Sequence, residues 1–377
     1  MRVVADENMP LVADCLAGHE VRLLPGRRIT RADLLDADAL LVRSVTRVGP
    51  DLVAGTPVRF VGSATIGTDH LDLAGLAALG VAVAAAPGCN ARAVGEYVAT
   101  VLARLAAEQG WAPADRTLGV VGLGNTGGAV VDLARRLGFR LLGCDPFVAR
   151  ADLEQVTLDE LLGRADIVSL HVPLTRGGPH PTHHLLDAAA LARLPDPAIL
   201  VNACRGEVVD GTALAAALAA RPALTAVLDV WEGEPRVAPA LLARVHVGTP
   251  HVAGYSQEGK WRGTAMACAA LCARLGAPPP PPLAALLATV PAPAPLVPPP
   301  GPPAARLAAL LQQACPVARD DTALRASVRA PDPGAAFDAL RRDYPPRREF
   351  TAHRVVLAAD DPLAPLLQAL GFGRVTA

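Results

Sequence analysis

Short apolar runs separated by polar breaks set the rhythm of the first quarter of the chain. Residues 3–5, 21–24, 39–42, 58–61 and 81–83 are too short for helices and rich in valine and leucine. Each is predicted to be a buried parallel strand. A helical pattern over 71–79 lies between two of them, and strands alternating with helices imply a doubly wound sheet. Gly88-Cys89-Asn90 breaks the pattern, and a helix from about 92 to 108 leads into a second domain. There the runs resume at 118–121, 141–144, 166–170, 198–202, 224–229 and 245–247. From residue 277 proline takes over, at 278–282 and again across 291–303, which predicts a stiff, extended linker. Helical patterns at 304–314 and 335–342 and a strand at 354–357 follow it. A tail this small would gain stability by packing on a partner.

The run at 118–121 is followed by Gly122-Leu123-Gly124-Asn125-Thr126-Gly127, which fits G-x-G-x-x-G, and then by a helical stretch that Gly138 stops. The first glycine allows a tight turn, the second a close approach to a pyrophosphate, and the third close packing of helix on strand. The helix N-terminus presents unpaired N–H groups and a positive dipole end to phosphates. Asp145 ends the next strand, about 20 residues beyond the motif, where a carboxylate accepts hydrogen bonds from ribose hydroxyls. An acid there repels a 2′-phosphate, so the expected cofactor is NAD and not NADP. Strand, glycine loop, helix and terminal acid together identify a dinucleotide site.

Composition narrows the classes. A chain of 377 residues accommodates two or three domains. A net charge of −1 without a basic block argues against nucleic acid as a partner. No run of about 18 apolar residues is present, so no membrane span is expected. Asp6 and Glu7 stand where a signal peptide would need its apolar core. The seven cysteines form no framework and are expected as reduced thiols in the cytoplasm. Cys268 and Cys272 share a helix face without further ligands nearby and read as core. The single lysine is Lys260.

Three polar positions at strand ends supply candidate chemistry. Arg205 lies in Asn202-Ala203-Cys204-Arg205-Gly206, Glu234 in Trp231-Glu232-Gly233-Glu234-Pro235, and His251 in Thr249-Pro250-His251-Val252-Ala253-Gly254-Tyr255. An arginine fork holds a carboxylate bidentately. A histidine accepts a hydroxyl proton, and a carboxylate on that imidazole fixes its tautomer. The alternatives are a surface ion pair for Arg205, a loop acid for Glu234 and a buried donor for His251. In the first domain, Arg43-Ser44-Val45-Thr46 and Ser63-Ala64-Thr65-Ile66-Gly67-Thr68 end strands and suit an anionic substrate. The same hydroxyls could simply cap turns. His180, His183 and His184 stand in a Gly/Pro loop with no acid or cysteine beside them in sequence, so they read as solvated loop histidines and no metal site is expected.

Asn-x-x-Arg-Gly at 202–206, Glu-Pro at 234–235 and Thr-Pro-His-x-x-Gly at 249–254 resemble the D-2-hydroxyacid dehydrogenases. Further details resemble that family's vitamin B6 branch: Val42-Arg43-Ser44-Val45-Thr46, Pro87-Gly88-Cys89-Asn90-Ala91, Glu258-Gly259-Lys260 and Arg347-Arg348-Glu349-Phe350. The likeness spans nearly the whole chain. It implies two doubly wound parallel-sheet, Rossmann-like α/β domains plus a small C-terminal α+β dimerisation domain. The implied layout is a substrate domain at 1–92 and 256–276, an NAD domain at 93–255, a linker at 277–303 and a dimerisation domain at 304–377. It implies Arg205, Glu234 and His251 as catalytic, and Ser44, Thr65 and Tyr255 as substrate contacts. NAD contacts are implied at Gly122, Gly124, Asn125, Thr126, Gly127, Asp145, Val172, Asp229 and Gly254. The implied reaction is NAD-dependent oxidation of a phosphorylated hydroxy acid, 4-phospho-D-erythronate, by a homodimer. Other readings are a dehydrogenase for another 2-hydroxy acid such as 3-phosphoglycerate, or an NAD-sensing corepressor. The chain departs from the family in its long proline linker and in Gly128, where a bulkier residue often follows the third glycine.

Overall fold

The apolar runs fold as strands of two parallel sheets in a computed structural model that describes residues 1–288 and 290–376. The chain divides into two compact units, Met1–Asn90 with Ser256–Ala292, and Ala91–Tyr255 with Pro293–Ala377. The first unit holds β1 (Arg2–Asp6), β2 (Glu20–Leu24), β3 (Ala39–Val42), β4 (Phe60–Ser63) and β5 (Ala82–Ala84). They pair in parallel in the order β2-β1-β3-β4-β5. Every residue of β3 and β4 is buried, as expected of strands covered on both faces. The helix Gln257–Leu275 packs beside β4, capped by the Ser256 hydroxyl at its start and by Gly276 in the left-handed region at its end. Cys268 and Cys272 lie in one apolar core with Cys15, Ala267 and Leu271, and no cysteine among the described residues is in a disulfide.

The second unit contains β6 (Thr117–Val121), β7 (Arg140–Cys144), β8 (Glu154–Gln155), β9 (Ile167–Leu170), β10 (Ala198–Asn202), β11 (Leu224–Leu228) and β12 (Val247–Gly248). All pair in parallel, in the order β12-β11-β10-β9-β6-β7-β8. Chain order runs one way from β6 through β7 and the other way through β9. The glycine loop therefore leaves β6 at the switch point, where doubly wound sheets take their ligands. The helix that follows spans Asn125–Leu137, so it starts inside the motif.

The C-terminal segment folds onto this second unit. Its helix Pro303–Ala314 lies on the helix Ala91–Gln109, and its helix Ala364–Leu370 lies on Asn125–Leu137. Leu307, Leu310, Leu311 and Phe350 share one core with Val98, Leu102 and Leu105. That arrangement explains why Ala91–Gln109 is apolar nearly all round. The tail's apolar face is thus covered by its own chain. β13 (Arg354–Leu357) and β14 (Gly373–Thr376) form a parallel pair. The proline-rich stretch is less extended than its composition predicts: Leu283–Leu287 is helical, and Leu296 exchanges backbone hydrogen bonds with the edge of β13. The helix Val317–Ser327 carries four charged residues and gives little periodic signal. No helix among the described residues is long and apolar enough to cross a membrane.

Buried polar side chains fasten the tail. Arg347, 5% exposed, donates to the Ala93 carbonyl at 3.1 Å and the Ala253 carbonyl at 2.8 Å. Glu96, 1% exposed, accepts from Arg92 at 2.8 Å and from the Phe350 N–H at 2.9 Å. Burial and the neighbouring Glu349 push the Glu96 carboxyl up to about 8, against the pull of Arg92 and Arg347. The fold therefore retains a proton that the unfolded chain releases near the ordinary glutamate value of about 4.3. Stability from this group is complete below that ordinary value and declines as pH rises toward about 8. Glu96→Gln mimics the protonated acid. Its stability is expected to gain on the parent protein as pH rises, by up to about 1.4 kcal/mol per pH unit, and its Tm to rise with it relative to the parent. A Tm difference that stays flat across this range in thermal melts would refute the shift.

Candidate active site

The glycine loop leaves room where a dinucleotide phosphate needs it. Gly122 has φ +87°, and a Cβ there would stand 2.6 Å from the His171 carbonyl oxygen. A Cβ on Gly127 would stand 1.8 Å from the Gly122 carbonyl oxygen, so both positions require glycine. A Cβ on Gly124 would meet nothing within 4 Å, which leaves the loop open above the helix N-terminus. Asn125, Thr126 and Gly127 form that helix's first turn, whose N–H groups have no intrahelical acceptors. Asp145 follows β7 and accepts from the Leu123 N–H at 2.7 Å and from the Phe147 and Val148 N–H groups at 2.8 and 3.0 Å. Three of its roughly four acceptor positions thus order the loops, and the rest remain for a donor. Val172 lies beside Gly122. Gly128 makes room for Arg150, which donates to the Gly128 carbonyl at 3.3 Å.

The three candidate catalytic side chains all emerge from loops at the C-terminal ends of neighbouring strands. After β10, the Asn202 amide donates to the Arg205 carbonyl at 2.9 Å and accepts from the Cys204 N–H at 3.2 Å. Arg205 in turn donates to the Cys204 carbonyl at 2.8 Å. A Cβ on Gly206 would lie 2.0 Å from the Trp231 carbonyl carbon and 2.4 Å from the Glu232 nitrogen. The bare glycine therefore lets the Arg205 turn press against the backbone that leads into Glu234.

After β11 comes Asp229, 1% exposed. Its carboxylate accepts from the Thr249 hydroxyl at 2.6 Å, the Val252 N–H at 2.8 Å and the Ala253 N–H at 2.9 Å. Its carbonyl accepts from the His251 N–H at 2.7 Å. Asp229, expected among the cofactor contacts, thus clamps the loop that carries His251. The clamp holds His251 at φ +57°, a region that costs a non-glycine residue on the order of 1 kcal/mol or more. His251 Nδ1 then meets Glu234 Oε2 at 2.7 Å, while Glu234 Oε1 accepts from the Trp231 N–H at 2.8 Å. Side-chain exposures of 31% for His251 and 20% for Glu234 leave the pair accessible. Burial works to raise the Glu234 carboxyl, but His251, the Trp231 N–H and Arg341 outweigh it and hold the group below the usual range. Ionised Glu234 can only accept, so Nδ1 carries a proton, and in the neutral imidazole the lone pair is on Nε2.

Sequence alone gives no hint of what the C-terminal segment adds. Arg341 stands over the Tyr255 ring at 5.8 Å and belongs to the charges that keep Glu234 ionised. Tyr344 packs edge-on to Tyr255 at 5.6 Å, and its hydroxyl donates to Asp320 at 2.7 Å. In the first unit, exposed Ser44 follows β3 and half-buried Thr65 follows β4. The Thr65 hydroxyl bonds Ser63 at 2.7 Å and donates to the Gly67 carbonyl at 3.2 Å, the turn-capping alternative. Thr46 is buried and caps the Gly26 carbonyl at 2.8 Å. Lys260 is half-buried, and burial together with the Arg43 guanidinium lowers its pKa.

His184, expected to be solvated, is instead paired: its Nε2 meets Glu232 Oε1 at 2.8 Å. Glu232 is 48 positions away, so the acid is invisible in the local sequence.

Residues 90–253 match the D-isomer specific 2-hydroxyacid dehydrogenase NAD-binding domain family, and residues 302–371 match a domain of unknown function. Erythronate-4-phosphate dehydrogenase of Azotobacter vinelandii is 50% identical over 383 residues, covering 98% of this chain and 99% of that protein. The enzyme of the same name from Pseudomonas syringae pv. tomato is 47% identical over 380 residues, with 100% of both chains covered. A solved structure of a Thermus thermophilus protein is 28% identical with a TM-score of 0.64, covering 75% of this chain and 99% of that one. NAD+-bound 3-phosphoglycerate dehydrogenase of Entamoeba histolytica shares the fold, with a TM-score of 0.63 at 24% identity over 73% of this chain and 95% of its own. The chain belongs to the erythronate-4-phosphate dehydrogenases, a branch of the D-isomer specific 2-hydroxyacid dehydrogenases.

Proposed function

We propose that this protein oxidises 4-phospho-D-erythronate to (R)-3-hydroxy-2-oxo-4-phosphooxybutanoate with NAD, as a step of vitamin B6 biosynthesis. The observation that carries it is the 2.7 Å His251–Glu234 pair on a loop packed against the Arg205 turn. Bound NAD supplies the hydride acceptor. His251 Nε2 takes the C2 hydroxyl proton as the C2 hydrogen leaves with its electron pair. Arg205 holds the substrate carboxylate and stabilises charge on the C2 oxygen. Glu234 stabilises the imidazolium that forms, and Tyr255 and Gly254 line the same loop. The open face at Gly124, the first turn at Asn125, Thr126 and Gly127, and the acid at Asp145 support NAD in the second unit, with Val172 beside them.

Ser44 of the first unit gives a hydroxyl donor beside the cationic Arg43 and Lys260, the chemistry a phosphate dianion requires, and Thr65 joins it if its hydroxyl turns from the Gly67 carbonyl. Seven cysteines without a disulfide among the described residues support a cytoplasmic location. The C-terminal segment has its apolar face covered by its own chain, so a homodimer contact there is proposed on the resemblance to the family, through the segment's remaining surface, and sedimentation of the intact chain tests that assembly.

NADH absorbance with 4-phosphoerythronate beside 3-phosphoglycerate and glycerate is the direct assay, and only the first should turn over well. NAD should outperform NADP by at least about tenfold in kcat/KM, roughly 1.4 kcal/mol; equal values would remove Asp145 from cofactor choice. Gly127→Ala places a methyl 1.8 Å from the Gly122 carbonyl oxygen, so NAD binding by calorimetry should be lost. Unchanged NAD affinity in that variant would mean the loop is not the cofactor cradle.

Arg205→Lys keeps the charge but loses the fork. A fall in kcat/KM on the order of 100-fold, about 2.7 kcal/mol, is expected with NAD affinity kept. Near-normal turnover would move the carboxylate contact elsewhere.

A further inference from the structure

Apart from the His251–Glu234 pair, the described structure brings His183, His184 and Glu232 together so that one ligand atom from each lies within 4.8 Å of the others. The two imidazoles stack at 4.0 Å with 18° between their planes. Glu232 Oε1 lies 2.8 Å from His184 Nε2, and its Oε2 accepts from the Gly211 N–H at 3.1 Å. Three donors of this kind, two imidazoles and a carboxylate, are the ligand set of open zinc sites, with water at the fourth position.

The donors are held from behind. The His183 N–H donates to the Thr175 carbonyl at 2.9 Å and the His184 N–H to the Glu207 carbonyl at 2.8 Å. His184 has φ +51°, an uncommon backbone state for histidine that persists only where surroundings impose it. Asp210 Oδ2 lies 3.9 Å from His184 Nδ1. Asp210 is itself fixed, because its Oδ1 caps the helix Gly211–Ala220 by accepting from the Thr212 and Ala213 N–H groups, each at 2.9 Å. A carboxylate behind a ligating histidine orients the ring and raises its basicity.

We infer that His183, His184 and Glu232 form a binding site for a divalent transition-metal ion of the zinc class. Imidazole with carboxylate selects such ions over magnesium and calcium, which prefer all-oxygen shells. In binding, the proton that His184 shares from Nε2 with Glu232 moves through solvent to Nδ1, on the side of Asp210, so the imidazole stays neutral and offers its Nε2 lone pair to the metal. The His184 and Glu232 donors then separate from 2.8 Å to roughly the 3.4 Å that two bonds of about 2.1 Å at a tetrahedral centre require. A turn of the His183 ring out of the stack completes the set.

The test uses the intact, tag-free chain titrated with zinc chloride, followed by calorimetry and by Tm, and with cobalt chloride followed by visible absorption. One saturable ion per chain is expected, with a Tm that climbs with zinc concentration. His183→Asn/His184→Asn and Glu232→Gln should abolish both effects. Asp210→Asn keeps the helix cap and should weaken zinc by about tenfold. Far-ultraviolet dichroism of each variant separates a lost site from a lost fold. Saturable uptake that survives in the folded double variant, or no saturable uptake by the parent chain, overturns the inference.

Discussion

The site depends on one buried carboxylate. Asp229 lies at the end of β11 with 1% exposure, and its side chain and carbonyl together hold the Thr249 hydroxyl and three consecutive N–H groups, those of His251, Val252 and Ala253. Hydrogen bonds to a buried charge are worth more than neutral ones, and losing one leaves the charge uncompensated. The clamp overcomes the left-handed backbone of His251 and thereby places its Nδ1 on Glu234. Thr249 extends the chain of contacts to the Tyr97 hydroxyl at 2.8 Å and, through its carbonyl, to the Trp231 indole at 2.9 Å. The sheet thus fixes the imidazole, and the geometry of the His251–Glu234 pair is inherited from the β11 register.

The same loop is held from the other side by the C-terminal segment. Arg347 reaches the Ala253 carbonyl, two residues past His251, and the Ala93 carbonyl of the long helix. Arg341 and Tyr344 pack on Tyr255. The segment therefore belongs to the scaffold of the active-site loop as well as to the core built on Ala91–Gln109. Arg341 also favours the ionised form of Glu234, the form that the proposed proton transfer to His251 requires.

Much of the fold was legible in the sequence because parallel strands buried on both faces must be continuous apolar runs. Strand ends were legible too, and that is where Arg205, Glu234 and His251 stand. The glycine loop was readable because its constraint is local: a turn with no room for Cβ. What escaped depends on contacts between distant segments. Arg341 carries no motif, and only folding brings it to Tyr255. Glu232 reaches His184 across 48 positions. Asp229 could be recognised as a strand-end acid, but its clamp on the 249–253 loop needs the register of β11 beside β12. The helix Val317–Ser327 escaped because its charged sequence hides its periodicity, although Val317 and Leu324 are buried.

The two loops beyond β10 and β11 show how closely chemistry and packing are joined here. Gly206 touches the Trp231–Glu232 backbone with no space for a side chain, so the positions of Arg205 and Glu234 are set by one contact. Glu232 points from that backbone toward His184, and Glu234, two residues on, points toward His251. Gly233 between them has φ +82°, the left-handed state that reverses the chain and sends the two carboxylates to different histidines. A side chain at 206 or 233 would disturb both histidine–carboxylate pairs together. The carboxylate–histidine geometry of this region therefore rests on two glycines as firmly as on the charged residues they place.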